Sequence, residues 1–393
     1  MKQPLQLRDN EGISASLLFT MACMAAISVA NIYYCQPLLS LMGNDLGVDE
    51  WRASLIAMIT QVGYACGLFF VIPSGDMFDR KKIVAGSFTL LAAALLCIAV
   101  SGHYLPVMAA SFAVGVCSVM PQIFIPIAAQ YSRPEKKGAN VGLIVSGLLT
   151  GILASRVISG LVGEWLGWRA MYAIAAGAMI LCTFVVWRIM PGTERNYNGT
   201  YRRLMNSLFA LVREHRLLCI CALRAALAFG SFLTLWASLT FRMEQAPFYA
   251  GSDVVGLLGL CGVAGALTAS LVGRLVTRFG VHRFNLLGAV LMLSAWAIAY
   301  RWGDTYAAII ATILILDIGM QCIQLSNQTV IFSLNPKASN RINTIFMTVY
   351  FIGGSLGTLL SGTAWSLWGW GGVSAVGGIM ALLSLGITVY TKE

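Results

Sequence analysis

Charge is what this sequence has least of. Only 11% of its 393 residues are Asp, Glu, Lys or Arg, less than half of the roughly 25% usual in a soluble domain. With 58% hydrophobic residues, the chain reads as an integral membrane protein. Acids are scarcer than bases, 16 against 26, and the net charge is +10. The cations form no patch on a soluble face; they sit in short breaks between apolar runs, where the cytoplasmic preference of Lys and Arg explains them. Nucleic-acid binding is excluded. Histidine is nearly absent, and His103, His215 and His282 all fall in loops. No base is therefore in reach of a buried nucleophile. HExxH and Walker patterns are missing too, which excludes an ATP-driven pump within this chain. The ten cysteines contain no CxxC pair and lie almost entirely in apolar runs, where a thiol behaves as a small hydrophobe. No disulfide, metal or cofactor is expected.

What is present is organised around a short charged stretch, Gly75-Asp76-Met77-Phe78-Asp79-Arg80-Lys81-Lys82. It separates two long apolar runs and cannot sit in hydrocarbon, so it is a turn at the membrane surface. A weaker copy, Gly273 to Arg283 with Arg274, Arg278 and His282, follows 198 residues later. Twelve apolar spans are expected: 14–42, 53–73, 83–101, 104–132, 139–163, 170–190, 217–241, 252–273, 284–301, 305–334, 341–363 and 369–390. The first is too long for a signal peptide and is expected to stay in the membrane. With both termini in the cytoplasm, 20 of the 26 Lys and Arg face inside, four face outside, and Arg156 and Arg224 lie within spans; that asymmetry sets the orientation.

The longest polar break, Pro191 to Arg216, divides the chain into residues 1–190, a linker 191–216 and residues 217–393. Leu204, Leu208, Leu211 and Val212 share one helical face of the linker, with Arg202, Arg203, Arg213 and Arg216 around the rest. That pattern suits a helix at an anionic membrane surface, though a plain tether would serve as well. Gly167-Trp168 and Gly369-Trp370 stand 202 residues apart, as do Pro134 and Pro336. Landmarks at a nearly constant offset point to two parallel six-helix repeats, an arrangement of secondary transporters that places the substrate near the midplane.

Gly75-x-x-x-Asp79-Arg80 followed by Lys81-Lys82, the degenerate copy at 273–283 and Gly167-Trp168-Arg169 resemble the major facilitator superfamily. Within it the chain resembles the twelve-span bacterial drug/proton antiporter-like branch. The resemblance implies an all-α integral membrane fold of two pseudo-symmetric six-helix bundles, alternating access, and proton-coupled movement of a small solute by a monomer in the inner membrane. Three departures stand out. The loop is two residues short before its basic pair, Ser111 replaces the Arg expected ahead of Gly115, and Ile152 replaces the Pro of the antiporter motif after Gly147-Leu148-Leu149-Thr150-Gly151.

Asp317 is the one acid deep within a span. A charge there costs about 3 kcal/mol or more unless it is paired, hydrated or protonated, and a carboxyl that alternates between protonation states is what proton coupling needs. Gln321, Gln324 and Gln328 continue the same helical face; a fixed ion pair that merely orders the bundle is the plainer reading. Arg156, past the middle of its span, needs an anion: Asp317 itself or a substrate carboxylate. Arg224 lies near a span end and is expected to snorkel to the cytoplasmic surface. Asn31, Tyr34, Gln36, Gln61, Tyr64, Gln122 and Trp236 are further cavity candidates, for each of which helix packing is an equal explanation. Gly75, Asp79, Arg80, Lys81, Gly273 and Arg278 are expected to gate, through contact with the partner half. Gly147/Gly151 and Gly353/Gly357 allow close helix contact and are expected at sliding interfaces.

The expected function is proton-coupled efflux of a small organic molecule. The alternative is proton-symport uptake of a small anionic metabolite, which Arg156 favours. A membrane-embedded enzyme is the competing class, since Gly353-Gly354-Ser355-Leu356-Gly357 spells GxSxG, but within an apolar helix and without a base.

Overall fold

The computed structural model describes residues 11–192, 199–263, 272, 275–276, 278–334 and 338–391. Gly273, Arg274, Pro336, Lys337 and residues 264–271 of the eighth expected span lie outside them. The described residues are helical, with no strand among them. In chain order the helices are α1 (Ala15–Ala30), α2 (Cys35–Leu46), α3 (Glu50–Cys66), α4 (Arg80–Val100), α5 (Tyr104–Cys117), α6 (Pro121–Tyr131), α7 (Lys137–Leu166) and α8 (Trp168–Ile189). There follow α9 (Tyr201–Glu214), α10 (Arg216–Glu244), α11 (Ser252–Leu258), α12 (Val281–Trp302), α13 (Tyr306–Leu334) and α14 (Ser339–Tyr390).

Polar residues at the breaks start these helices. Ser14 caps α1, Asp49 caps α3 by accepting from Arg52 N at 2.8 Å, Asp79 caps α4 and Thr200 caps α9, each satisfying an amide that has no partner within its own helix. Gly167 ends α7 at φ 84°, and Gly369 interrupts α14 at φ 57°, a backbone that residues with a Cβ rarely adopt. The two Gly-Trp landmarks thus make the same kind of break.

Ten stretches among the described residues are long and apolar enough to cross a membrane. The expected spans 341–363 and 369–390 run on as one stretch, Asn340–Tyr390, broken at Gly369, and the expected span 252–273 is described as helix only over its first residues. α1 and α2 form one stretch, as do α5 and α6. The two interruptions meet: Ser28 Oγ donates to the Ser118 carbonyl at 3.2 Å. Large apolar side chains such as Phe19, Leu90, Ile180, Trp187 and Leu383 remain exposed on the outside, where lipid, not water, must cover them.

α1 packs on α7, α4 on α8 and α3 on α5; α10 packs along α14, and α12 on α13. The two sequence halves meet through α3 with α14, α7 with α11 and α2 with α10. The glycine pairs expected at sliding interfaces lie instead inside each half. A Cβ at Gly147 or Gly151 would meet the carbonyls of Ala22 or Ala26 in α1 at 2.4 and 2.2 Å; one at Gly353 or Gly357 would meet those of Ala226 or Gly230 in α10 at 2.2 and 2.1 Å. Backbone cannot rotate away as a side chain does. Gly353→Leu is therefore expected to abolish the monodisperse peak in fluorescence-detected size-exclusion chromatography, whereas Gly386→Leu, where nothing stands within 4 Å, is expected to leave it intact.

The linker contains a helix, α9. Its Leu204, Leu208 and Leu211 are buried against the protein, and Arg202, Arg203 and Arg213 are exposed. Tyr201 Oη donates to the Phe70 carbonyl at 2.8 Å, while Arg341 Nη1 donates to Ser207 Oγ at 3.1 Å. The linker therefore touches both sequence halves at the basic end of the molecule.

Candidate functional site

α7 and α13 bring Arg156 and Asp317 to one cavity of about 140 Å³, whose wall also includes Tyr64, Gln122, Gln321 and Gln324. These two charged residues come from different sequence halves and are both buried, at 2% and 6% exposure. Arg156 is held on three sides. Its Nε donates to Gln36 Oε1 at 2.8 Å, and its guanidinium lies 3.9 Å from the Trp236 ring centre and 5.1 Å from that of Tyr33. Among the described residues its Nη2 has no hydrogen-bond partner, and neither has Asp317 Oδ2. Among the described residues Arg156 makes no ion pair with a carboxylate. A direct Arg156–Asp317 ion pair, one of the two alternatives the sequence left open, is thus absent among the described residues. The two side chains face a common space without meeting.

A second cavity of about 450 Å³ shares Gln122, Gln321, Gln324 and Met347 with the first and runs on to Gln328, Phe332, Asn340 and Asn343. It leads toward the basic end. At the other end the sequence halves are joined. Ser40 donates to Glu244, Thr240 Oγ1 to the Gln36 carbonyl at 2.8 Å, Trp365 Nε1 to Glu50 at 2.7 Å and Ser252 Oγ to the Gly160 carbonyl at 3.0 Å. A Cβ on Gly160 would lie 2.4 Å from Ser252 O and 2.8 Å from Gly256 Cα, so α7 and α11 touch backbone to backbone.

Several expected cavity residues do other work. Asn31 turns its amide back on its own helix, donating to the Ile27 and Ser28 carbonyls at 2.8 and 3.1 Å. Tyr34 is buried in the packing. Gln36 and Trp236 hold Arg156 from behind, and Gln61 accepts from Thr358 Oγ1 at 3.3 Å across the halves. Arg224 does not snorkel. It is fully buried, donating to Asn327 Oδ1 of α13 at 3.1 Å and to Thr391 Oγ1, just past α14, at 2.7 Å, so acceptors within the protein take the place of the surface. Ser355 of the GxSxG match donates to the Phe351 carbonyl of its own helix at 2.9 Å.

At the basic end, Arg80 is 3% exposed and donates to the Gly75 carbonyl at 3.1 Å and Gln130 Oε1 at 3.0 Å, with Asp76 at 3.5 Å. Asp79 Oδ1 accepts from Lys81 N at 3.0 Å, and Lys81 Nζ donates to the Trp187 carbonyl at 3.0 Å. These contacts lie within the first sequence half. A crevice of about 30 Å³ separates the loop from Asn340, Arg341 and Thr344. Arg278 is exposed, and Gly273 is outside the described residues.

Sequence reasoning named Tyr64 but missed the rest of the aromatic wall, Phe229, Tyr350 and Phe351. Phe229 stacks on Tyr350, with ring centres 3.9 Å apart and planes 12° apart, and Phe351 lies 4.3 Å from Tyr64; all four line the cavity. The spacing of Phe229, Phe232 and Trp236, which puts them on one helical face, was the available signal.

The family model described as Major Facilitator Superfamily matches residues 21–358. The chain belongs to this superfamily. It is a transporter of that type and a multi-pass membrane protein. It is 37% identical over 379 residues, 96% of each chain, to a protein of Escherichia coli O157:H7 named uncharacterized transporter YgaY. It is also 32% identical to the probable transporter SCO4007 of Streptomyces coelicolor, over 95% of this chain and 87% of the other. Among solved structures it is similar in fold, with a TM-score of 0.74 and 14% identity over 95% of this chain and 94% of the other, to an inward-facing bacterial homologue of the human lysosomal transporter Spinster. The opening toward one end and closure at the other is a single conformation of such a fold.

Proposed function

We propose that this superfamily member exports a small organic molecule in exchange for protons by alternating access. Residues 1–190 and 217–393 are the two six-helix halves, with twelve crossings in all, and both termini lie on the cytoplasmic side of the inner membrane. One observation carries the reading: Asp317 lines a cavity walled by both halves, and its buried Oδ2 has no hydrogen-bond partner among the described residues. In a low-dielectric site an uncompensated carboxylate is costly. It gains stability by taking a proton or by meeting a solute that carries donors, and the two outcomes exclude each other. That exclusion is the basis of antiport. The path from Asp317 toward the basic end is then the cytoplasmic route by which solute enters.

Arg156 favours a second reading, proton-symport uptake of an anion. An anion at Arg156 would be repelled by an ionised Asp317 and admitted by a protonated one, so proton and solute would travel together. In respiring everted membrane vesicles exposed to a panel of amino acids, sugars and organic acids, antiport is expected to discharge the acid interior when a substrate is added, and symport to deepen it. Asp317→Asn is expected to reduce this proton movement at least about tenfold, roughly 1.4 kcal/mol, and to make whatever solute exchange remains insensitive to a pH gradient. Proton movement unchanged in that variant would rule out Asp317 as the coupling group.

A further inference from the structure

Two side chains of opposite charge open onto the central cavity from opposite sequence halves, and each retains an unused hydrogen-bonding atom, Arg156 Nη2 and Asp317 Oδ2. Neither is satisfied by the other. A buried charge left without a partner is destabilising, and a buried pair is tolerated only when its geometry is good. A ligand that inserts between them and matches both charges would remove that defect. An anion alone would answer Arg156 and be repelled by ionised Asp317; a cation alone would do the reverse. Only a molecule carrying both charges meets both groups at once.

The rest of the wall restricts the remainder of the molecule. Phe229, Tyr350, Phe351 and Tyr64 supply flat apolar surface, and Gln324 is engaged by Tyr350 Oη at 3.2 Å. The volume of about 140 Å³ is close to that of a cavity, on the order of 150 Å³, that accepts benzene, and it continues past Gln122, Gln321 and Gln324 into the second cavity of about 450 Å³, which supplies the room an amino acid needs beyond its ring.

We infer that the site takes a small zwitterion with a flat side chain, the chemistry of an aromatic α-amino acid, its carboxylate on Arg156, its ammonium on Asp317 and its ring against Phe229 and Tyr350. This deepens the antiport reading and rests on it for direction: a proton placed on Asp317 removes the charge that holds the ammonium and releases the solute.

Isothermal titration calorimetry on the detergent-purified full chain, without any pH gradient, tests the inference with four probes. These are L-phenylalanine, 3-phenylpropanoate, 2-phenylethylamine and L-alanine. L-Phenylalanine is expected to bind at least about tenfold more tightly than each of the other three. In Asp317→Asn its advantage over 3-phenylpropanoate is expected to vanish, while in Arg156→Gln its advantage over 2-phenylethylamine should. Equal affinity of native protein for 3-phenylpropanoate and L-phenylalanine, or no binding of L-phenylalanine, overturns the zwitterion. Equal affinity for L-alanine overturns the aromatic side chain. If either variant fails to fold, native selectivity alone decides. Zwitterion selectivity without proton movement in everted vesicles would sink antiport and spare the ligand class; proton movement without that selectivity would do the opposite.

Discussion

Gly160→Leu is expected to stop transport while leaving the protein in the membrane and monodisperse. The Cβ it introduces would sit 2.4 Å from the Ser252 carbonyl oxygen and 2.8 Å from Gly256 Cα, both backbone atoms. Overpacking costs about 1–3 kcal/mol even where side chains can move aside. Here relief requires α7 and α11 to part, which opens the end that Ser40–Glu244, Trp365–Glu50 and Ser252–Glu164 hold shut. A penalty near the upper end, roughly 3 kcal/mol, shifts the ratio of the two conformations by more than about a hundredfold. Transport needs both conformations in every cycle, so the rate should fall by a similar factor. Spin labels at Asn44 and Tyr249, on opposite sides of that closed end, should move apart in the variant. An unchanged label distance with native transport would show that the α7–α11 contact is not part of the cycle.

Arg156→Lys is the second large effect, although the charge is kept. The arginine does three things at once: Nε binds Gln36, the flat guanidinium covers Trp236, and Nη2 is left without a partner on a side chain that lines the cavity. A lysine ammonium on a flexible stem lacks the planar fork needed to do all three. A desolvated cation–π contact is worth about 2 kcal/mol, and a hydrogen bond to a charged group roughly 1.5–3 kcal/mol. Losing much of either should raise KM by about a hundredfold at little change in maximal rate, because the affected contacts hold the solute and not the moving interfaces. KM from exchange assays in proteoliposomes checks this. A lysine variant with native KM would reduce Arg156 to a packing group.

Some of this was legible residue by residue. The breaks at 75–82 and 191–216 could be read because a cluster of charged or polar side chains cannot sit in hydrocarbon. Gly167-Trp168 and Gly369-Trp370 could be paired because a positive-φ turn leaves a glycine in the sequence. Asp317 stood out because an acid in an apolar run is costly wherever the helix goes. Arg224 misled for the converse reason. Its distance from a span end was visible, but not Asn327, 103 positions away in sequence. Asn31, Tyr34, Gln36, Gln61 and Trp236 were polar or amphipathic and on plausible spans, yet the helix rotation that decides whether a residue faces a cavity or a neighbour was not visible.

The sequence by itself determined that the chain is a many-spanning helical membrane protein, where its breaks fall, and which buried charges need explaining. Hydrophobicity and charge act locally and can be read along one strand of text. Only the tertiary structure decided that Arg156 and Asp317 share a cavity without pairing, that an aromatic wall completes it, and that Gly160 meets Gly256. These depend on the angle and rotation at which distant helices cross, which are set by the mutual fit of all their surfaces and by no single segment.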